Sequence, residues 1–131
     1  MEPGRSASED AARRISILVA EDNDLVRGAL CGMLRVMSAA VVEAKSGKEL
    51  IHRVFGSDHF DLVVCDVFLP ERSGVAVART ARAAGIATPF LFVSGEPPSK
   101  DELASVGDAA FLPKPFALQD LQQAVDSLIG R

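Results

Sequence analysis

A chain of 131 residues, 48% of them hydrophobic, is long enough to bury one packed core. Its formal net charge of −4 argues against a nucleic-acid surface, and no apolar run approaches the roughly 20 residues of a membrane span. No secretory signal is visible, and neither Cys31 nor Cys65 belongs to a Cys-x-x-Cys pair, so the expectation is a cytoplasmic protein with buried, reduced thiols.

Residues 1–14 mix charged, Ser, Pro and Gly residues without apolar periodicity and read as a flexible lead-in to a domain spanning 15–131. A β-like run over 15–20 ends on Glu21-Asp22-Asn23-Asp24, where Asn23 or Asp24 can cap a helix. That helix carries Leu25, Ala29, Leu30, Met33, Leu34 and Met37 at spacings of three and four. A short strand over 39–43 leads to Ser46-Gly47-Lys48-Glu49, a capping-box pattern, and to a helix running to about Phe55. Leu62-Val63-Val64-Cys65 is a buried-strand pattern that stops on the carboxylate of Asp66. A long turn follows, then a helix over 74–84 with Val75, Val77, Ala78 and Ala81 on its apolar side and Gly85 suited to its C′ position. A fourth strand over 89–93 ends on Ser94-Gly95. Ser99-Lys100-Asp101-Glu102 then opens a short helix near Leu103. The fifth strand, 109–112, runs into Pro113-Lys114-Pro115, and a last helix bears Leu118, Leu121, Val125 and Leu128.

Strands alternating with helices at this spacing predict βαβ units and a five-stranded parallel sheet covered by helices on both faces. Right-handed crossovers restrict the topologies, and the expected fold is a doubly wound α/β sheet with the flavodoxin-like order 2-1-3-4-5. In such sheets ligands bind outside the carboxyl ends of the strands. Here those ends carry Glu21 and Asp22, then Asp66, Ser94 and Lys114, whereas the second strand delivers no comparable group. Three carboxylates on one rim repel unless a cation joins them. Mg²⁺ suits such hard oxygen donors, and an Asp so placed can be a nucleophile toward phosphorus.

Taken in this order and strand context, Glu21-Asp22, Asp66, Ser94 and Lys114-Pro115 resemble the receiver domain of bacterial two-component response regulators, over about residues 15–129. The resemblance implies that Asp66 is the phosphoacceptor, taking a phosphoryl group from a histidine kinase or histidine phosphotransfer protein. It implies that Glu21, Asp22, Asp66 and the backbone carbonyl of Phe68 hold Mg²⁺. Lys114 becomes the phosphate-binding lysine, Ser94 the switch hydroxyl and Phe111 the switch aromatic. It also implies a signalling domain whose only catalysis is its own phosphotransfer and dephosphorylation. A downstream protein or a second copy would meet the face of the fourth helix, fifth strand and fifth helix, with no nucleic-acid or membrane partner. Glu21 stands where Asp is common, Phe111 lacks a hydroxyl, and the short stretch from Ser94 to Lys114 suggests a curtailed fourth helix. With no output domain following, the chain is expected to be a single-domain regulator or an excised receiver.

Rival readings fare worse. A haloacid-dehalogenase-like phosphatase resembles Asp-x-Asp, but Phe68 stands two residues past Asp66. A Rossmann module needs Gly-x-Gly-x-x-Gly after the first strand, where Ala20-Glu21-Asp22-Asn23-Asp24 would repel a pyrophosphate. A degenerate receiver serving as a phosphorylation-independent scaffold keeps the fold, but the retained acidic set speaks against it.

Overall fold

Along β1 (Ser16–Ala20), Ile17 and Val19 face one side of the sheet and Leu18 and Ala20 the other, and all four are fully buried. A strand sealed on both faces needs a helical layer above and below, which is the arrangement found. The computed structural model describes residues 14–130. The expected lead-in over 1–14 therefore lies outside the described residues, except for the exposed Arg14. β1, β2 (Ala40–Ala44), β3 (Leu62–Cys65), β4 (Phe90–Ser94) and β5 (Ala109–Pro113) pair in parallel in the order β2-β1-β3-β4-β5, as expected. Helices α1 (Asp24–Val36) and α5 (Leu118–Ile129) cover one face, meeting Ile17, Val19, Leu62, Val64, Leu91 and Val93 through Leu30, Cys31, Leu34, Leu121 and Val125. On the other face, α2 (Gly47–Val54), α3 (Gly74–Ala83) and the five-residue α4 (Lys100–Ala104) lie against Leu18, Val63, Phe90 and Phe92. The fourth helix is indeed curtailed, and none of its residues is buried. No helix among the described residues is long and apolar enough to cross a membrane. Cys31 and Cys65 are buried free thiols, and burial pushes the Cys31 thiol up to about 11.

Four of the five helices start where an N-cap side chain accepts a free N–H, the exception being α5, whose N-cap is Ala117. Asn23, not Asp24, caps α1, accepting from the Val26 N–H at 3.0 Å. Ser46 caps α2, but the box is only half closed, because Glu49 reaches back to the Lys45 N–H rather than to that of Ser46. At α4 both halves of the Ser99–Glu102 box are made. The expected stripe of α1 needs correcting. Leu25 is 87% exposed and Ala29 is exposed, and the buried face is Arg27, Leu30, Cys31 and Leu34. The helix is rotated about its axis because Arg27, at the head of that stripe, finds acidic and carbonyl partners at the sheet rim.

The chain runs from β1 outward to β2, then returns past β1 to β3 on its other side. Neighbouring crossovers therefore leave in opposite directions at the carboxyl ends of β1 and β3, which opens a crevice there. Glu21 and Asp66 are the first residues beyond those two ends.

Candidate functional site

The registers bring the strand-end groups together. Ala20 lies opposite Cys65, and the Asp66 N–H continues the ladder to the Ala20 carbonyl at 3.0 Å. Ser94 lies opposite Pro113, and the Lys114 N–H reaches the Ser94 carbonyl at 2.9 Å. Lys114, followed by a cis peptide bond to Pro115, extends its side chain back across the rim. Its Nζ donates to Asp66 Oδ2 at 2.8 Å and to Glu21 Oε1. The Phe68 N–H donates to Asp66 Oδ1 at 2.9 Å, so both oxygens of that carboxylate are engaged. Gly74 lets α3 close on this loop: a Cβ there would stand 2.3 Å from the Asp66 carbonyl oxygen.

Burial shapes the electrostatics. Glu21 is 1% exposed; desolvation raises its pKa, outweighing the lowering effect of its bonds to Lys114 and the Asn23 N–H, and the neighbouring Asp22 carboxyl raises it further. For Lys114 burial lowers the pKa, but the bonds to Asp66 and Glu21 more than offset it, so the ammonium is retained. One ammonium thus lies between two largely buried carboxylates. Asp22 is exposed beside Glu21. Among the described residues no three His, Cys, Asp or Glu side chains converge on one point. The donor set is nonetheless hard, anionic and made of oxygen, with a cationic centre already drawn in between Glu21 and Asp66, and these residues fit a Mg²⁺ ion.

Ser94 is 2% exposed, and its Oγ accepts a long bond of 3.4 Å from the Glu96 N–H. Asp66, Phe68, Ser94, Gly95 and Glu96 line an open cleft of about 350 Å³ above the carboxylate. Phe68 is 58% exposed at its edge. Phe111 is half-buried on β5, opposite Phe92, and packs into the layer under α4. The five strand-end residues expected to act together are therefore on one rim. Four of them (Glu21, Asp66, Ser94 and Lys114) are drawn inward, and Asp22 lies outermost.

Sequence reasoning missed Arg27. Its guanidinium ties α1 to the Glu21 carbonyl and to Glu43 at the end of β2, and pairs within the helix with Asp24. The signal was present, since Arg27, Leu30, Cys31 and Leu34 fall at i, i+3, i+4 and i+7. A charge heading an apolar stripe marks a position where a partner must be buried with it.

The response regulator receiver domain family matches residues 17–126 of the chain. The chain belongs to this family. Among curated relatives, the response regulator protein PmrA of Pseudomonas aeruginosa is 34% identical over 117 residues, covering 88% of this chain and 52% of that protein. The chain spans about half the length of the curated relatives it matches. The receiver fold is shared with the chemotaxis response regulator CheY4 of Vibrio cholerae, with a TM-score of 0.80 at 24% identity over 88% of this chain and 98% of that one. It is shared too with the receiver domain of the Pseudomonas aeruginosa sensor histidine kinase PA1611, solved with magnesium coordinated in its active-site cleft, with a TM-score of 0.79 at 24% identity over 90% of this receiver and 99% of that one.

Proposed function

We propose that this receiver, as a unit running from residue 15 to 131, accepts a phosphoryl group on Asp66 from a phosphohistidine and thereby switches a protein-docking face. One observation carries the reading. Asp66 ends β3 at the crevice, engages Lys114 at 2.8 Å, and opens into a cleft bordered by the Ser94 hydroxyl. In the transfer an Asp66 oxygen forms the new P–O bond while the P–N bond to the donor imidazole breaks. The electron pair leaves with the imidazole nitrogen, which takes up a proton. Lys114 balances charge on the phosphoryl oxygens, and Ser94 donates a hydrogen bond to one of them. Asp22, Asp66 and the Phe68 carbonyl, together with Glu21, would hold a Mg²⁺ ion, which would supply further neutralisation of that charge. The magnesium in the PA1611 receiver supports this assignment.

The added charge of roughly −1.5 to −2 draws Ser94 and the β4–α4 loop toward Asp66. Phe111 then fills the space that Ser94 leaves, and the α4–β5–α5 face changes shape for a downstream protein or a second copy. The receiver acts in the cytoplasm, and its donor is a histidine kinase or histidine phosphotransfer protein. An apolar groove of about 420 Å³ lined by Val26, Ala29, Leu30, Met33, Pro115 and Phe116 also includes Lys114, whose ammonium reaches Asp66, and this is the surface that would meet the donor. The receiver's own chemistry is limited to this transfer and to hydrolysis of its product. The intact set of acids, hydroxyl and lysine speaks against a phosphorylation-independent scaffold.

The test is labelling by radioactive acetyl phosphate with Mg²⁺ present. Asp66→Asn is expected to abolish label that wild type acquires, with the fold kept by circular dichroism. Undiminished labelling of that variant overturns the assignment.

A further inference from the structure

Arg27 stands in α1, six residues past Glu21, with its side chain only 9% exposed. Its three nitrogens point to three different oxygens: Nη1 donates to the Glu21 carbonyl at 3.0 Å, Nη2 to Asp24 Oδ1 at 2.7 Å, and Nε to Glu43 Oε1 at 3.0 Å. The Glu21 carbonyl belongs to the peptide plane whose nitrogen is that of Asp22. Holding this oxygen fixes the tilt of that plane, and hence the direction in which the Asp22 side chain leaves the backbone. Glu43 lies on β2, so the anchor runs from the helix through the β1–α1 loop to a neighbouring strand.

We propose that Arg27 is a positioning residue for the acidic pair, orienting Asp22 and Glu21 for a divalent cation. This rests on the reading above, in which that pair holds Mg²⁺. The guanidinium suits the task because its planar fork offers donors in fixed directions. It also engages the carboxylates of Asp24 and Glu43, the latter shared with Arg35. A lysine would keep the charge but could not hold three oxygens on different sides at this spacing. Arg27→Lys therefore separates geometry from electrostatics.

The experiment is a Mg²⁺ titration of the full chain, followed by backbone amide shifts at residues 21–24 and 66–68, beside the Mg²⁺ dependence of acetyl phosphate labelling. Wild type should saturate with shifts at the strand ends, and Asp22→Ala should weaken or remove them. Loss of an outer-sphere orienting group costs on the order of 10-fold in metal affinity, so Arg27→Lys should raise the Mg²⁺ dissociation constant by about 10-fold. The half-saturating Mg²⁺ for labelling should rise in step, by more than the plateau falls. Glu43→Ala removes one anchor away from the site and should give a smaller rise; it decides the question if Arg27→Lys does not fold. A folded Arg27→Lys that binds Mg²⁺ within twofold of wild type, even with a lowered melting temperature, makes Arg27 a structural tie only and overturns the inference while leaving the metal reading intact. Absence of strand-end shifts in wild type overturns both.

Discussion

Both oxygens of Asp66 are engaged, one by the Phe68 N–H and the other by Lys114, and a phosphoryl group on Asp66, as proposed above, would have to take over one of these contacts. On that reading the same loop sets how water reaches the product. The Phe68 side chain lies at the edge of the cleft above Asp66, with Glu96 also lining it. A phenyl ring there cannot orient a water by hydrogen bonding and covers part of the approach. Phe68→Asn is therefore expected to shorten the phosphorylated lifetime by about 3- to 10-fold, since each tenfold corresponds to only 1.36 kcal/mol of barrier. Decay of the labelled protein after removal of the phosphodonor measures it. An unchanged or longer lifetime would mean that Phe68 does not control the attacking water. Asp66 and Phe68 are two residues apart, so their proximity was legible in the sequence. That Lys114 bridges Asp66 and Glu21 was not, because 93 residues separate Lys114 from Glu21 and only the sheet joins them.

At the scale of elements, two helices end in the same way with different residues. After α3, the Ile86 N–H bonds to the Ala81 carbonyl at 2.9 Å and the Gly85 N–H to the Arg82 carbonyl at 3.0 Å, with Gly85 at φ 81°. After α1, the Ala39 N–H bonds to Leu34 and the Ser38 N–H to Arg35, with Ser38 at φ 64°. Both are Schellman closures, but only one has the residue that takes a left-handed backbone at no steric cost. Ser38→Gly should stabilise the protein by about 0.5–1 kcal/mol, the relief of the left-handed conformation less the extra chain entropy of glycine. Urea unfolding should show a higher midpoint at unchanged slope; a lower midpoint would show that the serine side chain contributes more than the backbone strain costs. Gly85 was recognisable from the sequence as a C′ glycine. The Ser38 turn was not, because a serine carries no signal for positive φ.

Over the whole molecule, two apolar layers share one sheet, and the central strands β1, β3 and β4 are sealed on both faces. Damage on either face therefore reaches the rim where the strand-end groups meet. Phe92 is fully exposed to neither layer's solvent edge: it is completely buried, packs 6.0 Å from the Phe90 ring, and lies opposite both Cys65 and Phe111. Phe92→Ala should cost about 3–5 kcal/mol, a large share of the roughly 5–15 kcal/mol that holds a domain folded. Urea unfolding read by circular dichroism gives the loss. A cost under about 1 kcal/mol would mean that the layer under α3 and α4 collapses to fill the space.

The sequence by itself determined the parallel five-stranded order, the curtailed fourth helix and the set of groups at the strand ends. The parallel sheet and the strand-end set follow from local signals, apolar runs, caps and turns repeated along the chain, with right-handed crossovers restricting the topologies, while the curtailed fourth helix follows from the receiver resemblance. Tertiary structure alone decided which face of α1 is buried. Leu25 and Ala29 share the helical spacing of Leu30 and Leu34, so periodicity could not choose between the two stripes. The choice was settled by Arg27, whose partners Glu21 and Glu43 belong to other elements of the chain. The same holds for Lys114 and its two carboxylates, because an ion pair between distant residues exists only once the sheet has brought their strands side by side.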